Sequence, residues 1–397
     1  MDLPHLLTPP VRLLPLRWLL APLAVLVVIN CATLFAHSDV DIPLLWSQCH
    51  SRERLPALSY VPALGTPACF LLSFYEAALD SSRSRAGICV LLAFLGALAT
   101  VCWLESTRAW NARSPVIRAP TLPWLAFSLL GPAGAVVWHI AIVPAFVHRA
   151  RTLFLASVGA GVESAGAGRG QASDGGEHRP EASERESERD AQDAALAGEA
   201  GRAVPDADVV AITVAVALGF FAPSALMLLA RTPLAVALWL PFPAYITLVQ
   251  RGARLAVQRF QRAGPTSVLL ERHWQAVALV YLLPAVLSVA GSVLFWWHLL
   301  ARPDDRRKMT LLTASFLEIN ATAVAVAVLY WLFVEAGWRL PVFVVAASCV
   351  LGPGGGLCLG WLYRERLLRH GFGPRRGGDG ADDDERGAAY EDTPLLR

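Results

Sequence analysis

The chain has 397 residues, of which 55% are hydrophobic and 17% charged, with a mean hydropathy of +0.46 and a formal net charge of +2. Soluble domains carry about a quarter charged residues and lack repeated apolar runs of bilayer length, so one large soluble core is excluded. The small net charge, with no zinc-finger spacing and no basic patch interleaved with aromatics, also argues against a nucleic-acid partner.

A helix needs about 20 mostly apolar residues to cross a bilayer, and nine such stretches are expected in chain order. The first covers 15–36, with Arg12 and Arg17 preceding its apolar run. Its start resembles a signal peptide, but no small-x-small cleavage site follows and the run from Leu19 to Phe35 is long for one, so it is expected to be retained. A polar loop with Asp39, Asp41, Arg52, Glu53 and Arg54 follows. The second stretch, 59–79, contains Pro62 and Pro67 and is expected to kink. The third covers 86–104 and the fourth 121–148, where Gly131 and Gly134 favour close helix contact.

Residues 160–206 contain no Phe, Tyr or Trp and are mostly Gly, Ala, Ser, Glu, Arg and Asp. Such a stretch buries too little surface to offset its chain entropy, so it is expected to be a disordered extramembrane loop. The fifth and sixth stretches cover 208–230 and 233–250. The segment Arg251 to Arg272 then sets Arg251, Arg254, Arg259, Arg262 and Arg272 among Leu255, Val257 and Phe260, which suits either a basic helix on an anionic membrane surface or a solvated loop. The last three stretches cover 274–300, 310–336 and 341–363, and Gly352-Pro353 can break the last. From Arg364 the tail is basic and then acidic at 382–385, and is expected to be solvated.

The expected fold is therefore all-α: a polytopic transmembrane helical bundle of about eight or nine spans. Its membrane halves lie at 1–159 and 207–366, with the disordered loop 160–206 between them and a disordered tail at 367–397. Trp18, Trp103, Trp124, Trp274, Trp297, Trp338 and Trp361 fall near span ends, as an aromatic belt would. The positive-inside rule gives no orientation for nine spans. The Arg251–Arg272 loop falls on one side, while Arg306, Arg307 and Lys308 and the tail residues Arg364, Arg366 and Arg369 fall on the other.

Ionisable groups against hydrocarbon cost roughly 2.5 kcal/mol or more unless paired or facing a cavity, so they are the candidate site residues. Glu105 and Arg108 share a helical face at a span end, either as an interfacial ion pair or as an acid held at a cavity mouth. Glu76 and Asp80 also share a face. Repulsion there can keep one protonated, as a proton donor to an alkene or epoxide, unless Asp80 reaches the interface. Glu318, with Asn320 beside it, is the most deeply placed carboxylate, either an acid or a partner in an interhelical hydrogen bond. His139 follows Trp138 and is either a packing residue or a member of the site. Glu335 and His298, near span ends, are expected to be interfacial.

No GxSxG, HExxH, Walker or DDxxD sequence is present, so neither a metal nor a cofactor site is expected. The seven cysteines form no CxxC and mostly lie in apolar runs, where Cys acts as a small hydrophobe.

Four segments together resemble a known family. They are Pro62-Ala63-Leu64-Gly65-Thr66-Pro67-Ala68-Cys69-Phe70, running on to Leu79; Glu105-Ser106-Thr107-Arg108; Ala217-Leu218-Gly219-Phe220-Phe221-Ala222-Pro223-Ser224-Ala225-Leu226-Met227; and Ala237-Leu238-Trp239-Leu240-Pro241-Phe242-Pro243. In this order, and spread over most of the chain outside 160–206, they resemble the fungal membrane-bound terpene cyclases of the ascofuranone type, also found in paxilline-type indole-diterpene clusters. The resemblance implies proton-initiated cyclisation of a prenyl or epoxy-prenyl chain in secondary metabolism, with a hydrophobic prenylated substrate drawn from the lipid bilayer. The endoplasmic reticulum is the implied membrane. Trp138, Phe74, Tyr75 and Trp239 are candidate aromatic faces for the cations. A transporter or channel and a non-catalytic scaffold of a biosynthetic cluster are the alternatives.

Overall fold

The computed structural model describes residues 11–37, 41–50, 62–167, 199–260, 267–270 and 273–369. They form an all-α bundle with one two-residue antiparallel pair, β1 (Val204–Pro205) with β2 (Ser267–Val268). The main helices are α1 (Leu16–His37), α2 (Ile42–His50), α3 (Pro62–Leu79), α4 (Ser82–Thr107), α5 (Thr121–Leu129), α6 (Val143–Ala167), α7 (Asp206–Val216), α8 (Ala222–Ala230), α9 (Pro233–Trp239), α10 (Phe242–Phe260), α11 (Trp274–Ala301), α12 (Lys308–Ala336) and α13 (Arg339–Arg369).

Six of these segments are long and apolar enough to cross a membrane: α1, α4, α7–α8, α11, α12 and α13. The α9–α10 pair, bent by 54°, is a seventh candidate. Side-chain contacts give the directions of the first five. Asp305, just before α12, accepts hydrogen bonds from the Ser82 backbone N–H and hydroxyl at 2.7 Å, so α4 and α12 start on the same face. α1 runs the other way: Arg12 Nε donates to the Val334 carbonyl at 2.9 Å, and Asn30 meets Asn320 at 3.3 Å. Gly291 and Phe295 of α11 lie against Cys89 and Gly87, so α11 is antiparallel to α4. α7 starts beside β1, whose neighbour β2 precedes α11, and α8 ends at the left-handed Arg231 (φ 54°) before α9 turns back.

Two apolar stretches expected to cross do not. α13 passes the length and composition test, yet it is folded in half at Gly352 (φ 76°, ψ 164°). In an unbroken helix Phe343 and Tyr363 would be about 30 Å apart; their rings are 5.2 Å apart. Gly356 packs on Ser348 and Gly360 on Val344, pairs centred on Gly352. The Gly-x-x-x-Gly spacing therefore builds the seam inside one hairpin. The stretch 121–148 is a second hairpin, broken at Gly131 (φ 53°). Trp124 and Trp138 would be about 21 Å apart in one helix, but their rings are 5.3 Å apart. Trp124 touches Trp103 near the end of α4, and Arg149, after the turn, reaches Glu105 at 2.6 Å, so both limbs end on one face.

Both breaks are Gly-Pro steps within apolar runs, Gly131-Pro132 and Gly352-Pro353. Glycine takes the positive φ and proline cannot continue the preceding helical hydrogen bonding. Both tips sit near the middle of α4: Gly354 lies against Ala93, and Gly131 shares a small cavity with Leu91, Leu92 and Leu95. The expected second span is also re-entrant in effect. α1 ends, and α4 begins, on the same face, so the segment holding α2 and α3 leaves that face and returns to it. The Cys49–Cys69 disulfide ties the two helices together. All nine apolar stretches are thus present, but three fail to traverse.

The close seams rest on small residues, as lipid offers no hydrophobic drive between helices. Gly219, inside the π-helical turn Ala217–Phe221, presses on the backbone of Ile246, and Gly96 admits the ring of Phe221. The expected loop 160–206 is ordered at both edges. α6 continues to Ala167, and a helical turn at Glu199–Arg202 leads into β1, where Val204 is fully buried. Pairing with β2 and burial of Val204 supply free energy that offsets the chain entropy at this edge. Residues 168–198 and the tail from 370 lie outside the described residues. Trp18, Trp297 and Trp338 are exposed as a belt requires, whereas Trp103, Trp124 and Trp361 are core residues, 0–1% exposed, because they pack the feet of the hairpins.

Candidate functional site

On the face where α4 ends, six charged side chains from four elements form one buried network. Glu105 closes α4, Arg108 caps it, Arg149 lies on α6, Glu335 ends α12, and Arg364 and Glu365 lie on the returning limb of α13. Three carboxylates face three guanidiniums, all buried, so the cluster is formally neutral. Glu105 accepts from Arg149 Nη1 at 2.6 Å, Arg364 Nη1 at 2.9 Å and Asn111 Nδ2 at 3.1 Å, and pairs with Arg108 at 3.2 Å. Glu335 accepts from Arg149 Nη2 at 2.6 Å, from Trp331 Nε1 at 2.6 Å and from Arg364. Glu365 accepts from Arg108 Nη2 and Arg364 Nη1, both at 2.8 Å. The indole of Trp110 is flanked by all three guanidiniums at 5.3–5.4 Å, and Trp361 carries Arg364 at 4.7 Å. Mutual pairing and aromatic faces offset the cost of taking these ions out of water.

Glu105 and Arg108 are thus brought together as expected, but in a structural clamp. Both Glu105 oxygens are engaged by donors, which leaves no face for a reacting atom. Glu335, expected at the interface, is 7% exposed and central to the clamp. Arg364, expected to open a solvated basic tail, is instead fully buried in the clamp because α13 turns back on itself, and Arg149, Glu365 and Asn111 carry no expectation from the sequence. Their one local signal is position: Arg364 follows Trp361, and Arg149 follows Phe146, each within a turn.

The other expected site residues lie elsewhere. His139, in the π-helical turn Trp138–Ile142, is buried and its Nδ1 meets the Ala135 carbonyl at 2.7 Å, a packing position within its own helix. Glu76 is half-buried on α3, and Asp80 sits exposed 4.0 Å from Arg307, so this pair is split between bundle and interface. Glu318 is neither clamped nor enclosed. It borders two cavities on α12, and no hydrogen bond or ion pair of its carboxylate occurs among the described residues. One cavity, of about 270 Å³, is apolar and lined by Phe94, Phe295, Leu317 and Pro353 of the α13 tip. The other, of about 540 Å³ between α1 and α12, is lined by Asn30, Thr33, His37, Ser315 and Thr322. Of the expected aromatic faces, Tyr75 and Trp239 meet at 5.5 Å and border a small third cavity of about 50 Å³ with Asn320; Phe74 packs on Phe316 and Trp138 on Trp124. Of these three cavities Glu318 borders two, and neither Glu76 nor Glu105 lines any of them.

The face where α4 begins is ordered by exposed ion pairs. Asp305 caps the α4 amides from the α11–α12 loop. Slight burial alone raises its carboxyl, but hydrogen bonds from Ser82 and Arg83 hold it down at about 2. Hydrogen bonds from Arg306 likewise hold Asp304 well below the usual carboxylate range. Compared with protein-family models, curated proteins and solved structures, the chain matches none.

Proposed function

We propose that this integral membrane protein acts on an apolar, chain-like substrate in the groove beside Glu318, as a cyclase of prenyl or epoxy-prenyl chains. The observation that carries the reading is the single carboxylate of Glu318 at the junction of an apolar groove and a polar cleft. A protonated Glu318 would donate its proton to an epoxide oxygen. The C–O bond would break to a hydroxyl and a carbocation, and an alkene π pair would close the ring. Loss of a proton to the Glu318 carboxylate would end the sequence, a net isomerisation. Phe94 and Phe295 line the same groove and would face the cation. The clamp would serve to position both hairpins, and the endoplasmic reticulum is the membrane expected for such chemistry.

Co-expression with prenylated and epoxidised precursors in a microbial host tests this. Cyclised product is expected from the wild type and from Tyr363→Phe, and none from Glu318→Gln at equal protein level. Undiminished product from Glu318→Gln refutes it. A second reading, transport, draws on the two hairpins that enter from one face with broken tips at mid-bundle, since transporter sites are built from such discontinuous helices. Flux of a solute across proteoliposomes containing the purified chain would favour that reading instead.

A further inference from the structure

The two faces of the bundle differ in charge. On the clamp face Arg17, Arg113, Arg118, Arg251, Arg259 and Arg366 are exposed, and the carboxylates Glu105, Asp208, Glu335 and Glu365 on that face are buried. The opposite face carries exposed Asp41, Asp80, Asp304 and Asp305; of its basic residues Arg83, Arg306 and Arg307 lie within 4.0 Å of an aspartate, while Arg231, Arg302 and Lys308 are exposed, so acidic and basic groups are mixed there. The α13 hairpin is the reason that two of the basic stretches coincide. Because 341–363 returns to its own face, the basic stretches 251–259 and 364–366 lie on one side rather than on opposite sides. An independent feature belongs to the segment that leaves and re-enters the opposite face: the Cys49–Cys69 disulfide joins α2 and α3.

We propose that the clamp face lies on the anionic, cytoplasmic leaflet, where its exposed arginines bind anionic phospholipid headgroups, and that the α2–α3 segment faces the oxidising compartment. Two principles meet here. Basic residues near span ends are retained on the cytoplasmic side and attract anionic headgroups. Disulfides persist in oxidising compartments. The end of α10 supplies the contact geometry. Arg251 and Arg259 share one stripe of the helix with the exposed Leu255 between them, and the exposed Phe260 lies on the other side, so guanidiniums can meet phosphates while neighbouring apolar side chains dip into the acyl boundary.

The test uses the full chain in sealed microsomes. An Asn-Gly-Thr acceptor inserted at 302–304 is expected to be glycosylated, and one inserted at 113–115 is not; the reverse pattern overturns the proposal. The unaltered chain gives a second measurement that no insertion can disturb. A membrane-impermeant phosphine is expected to leave Cys49–Cys69 oxidised until detergent is added, and reduction in sealed vesicles overturns it. For the lipid contact, protein extracted from mixed phosphatidylserine and phosphatidylcholine vesicles is analysed by native mass spectrometry. Arg251→Gln with Arg259→Gln should lower phosphatidylserine enrichment roughly five-fold per arginine. Equal enrichment in variant and wild type refutes headgroup binding at this surface.

Discussion

Replacing Arg364 by leucine tests the clamp most directly. Arg364 reaches Glu105 at 2.9 Å, Glu365 at 2.8 Å and Glu335 at 3.0 Å, and it is fully buried. Its loss leaves three buried carboxylates facing only Arg108 and Arg149. Removing one partner of a buried ionic cluster costs about 3–5 kcal/mol, because the remaining charge stays desolvated. Arg364→Leu should therefore lower the thermal midpoint of the purified protein in detergent by several degrees or more. The double variant Arg364→Leu with Glu335→Leu removes one charge of each sign. It should recover a large part of the loss, a coupling of at least about 1 kcal/mol in a double-mutant cycle. The reasoning fails if the single variant melts within about 1 °C of wild type, or if the double variant is the sum of the two singles.

Three further outcomes follow from the same geometry. Gly352→Val puts a branched side chain at φ 76° against Ser288 and Ser292, and should cost at least about 2 kcal/mol and open the α13 hairpin, read as faster proteolysis near residue 352. Gly219→Leu drives a side chain into the Ile246 backbone, 2.6 Å from where its Cβ would stand, and should abolish recovery of folded protein while Gly252→Leu, in open space, does not. Asp305→Asn removes the negative charge at the α4 N-terminus and should weaken the cap by roughly 0.3–1 kcal/mol, read as faster amide exchange at Ser82 and Arg83. The pH dependence has a defined sign. The folded carboxyl lies at about 2, below its ordinary 3.8, so the cap contributes fully above 3.8 and fades as pH falls towards 2, in wild type but not in the asparagine variant.

Nine apolar stretches were legible in the sequence, and each is a helical segment of the bundle. Their direction was not, because hydropathy measures how well a residue tolerates lipid and carries no information on whether the chain continues or turns. The two Gly-Pro steps were visible, and one was read as a break, yet a proline inside a membrane helix is as compatible with a kink as with a reversal. The Glu105–Arg108 pair was legible because three-residue spacing is local. Its partners Arg149, Glu335, Arg364 and Glu365 are 44 to 260 positions from Glu105 in sequence, and only tertiary folding joins them. The tryptophans misled for a physical reason: an indole suits a headgroup boundary and an ionic cluster equally, since both offer polar partners beside hydrocarbon.

The clamp also has a timetable. Arg149 and Glu335 are 186 residues apart, and synthesis proceeds at about 5–20 residues per second, so Arg149 leaves the ribosome roughly 10–40 s before its second carboxylate exists. During that interval Glu105, made earlier, is the one acidic member of the cluster present to receive it. The first hairpin is therefore held by half a latch while the nascent chain grows, and the last helix, arriving with Arg364 and Glu365, closes it.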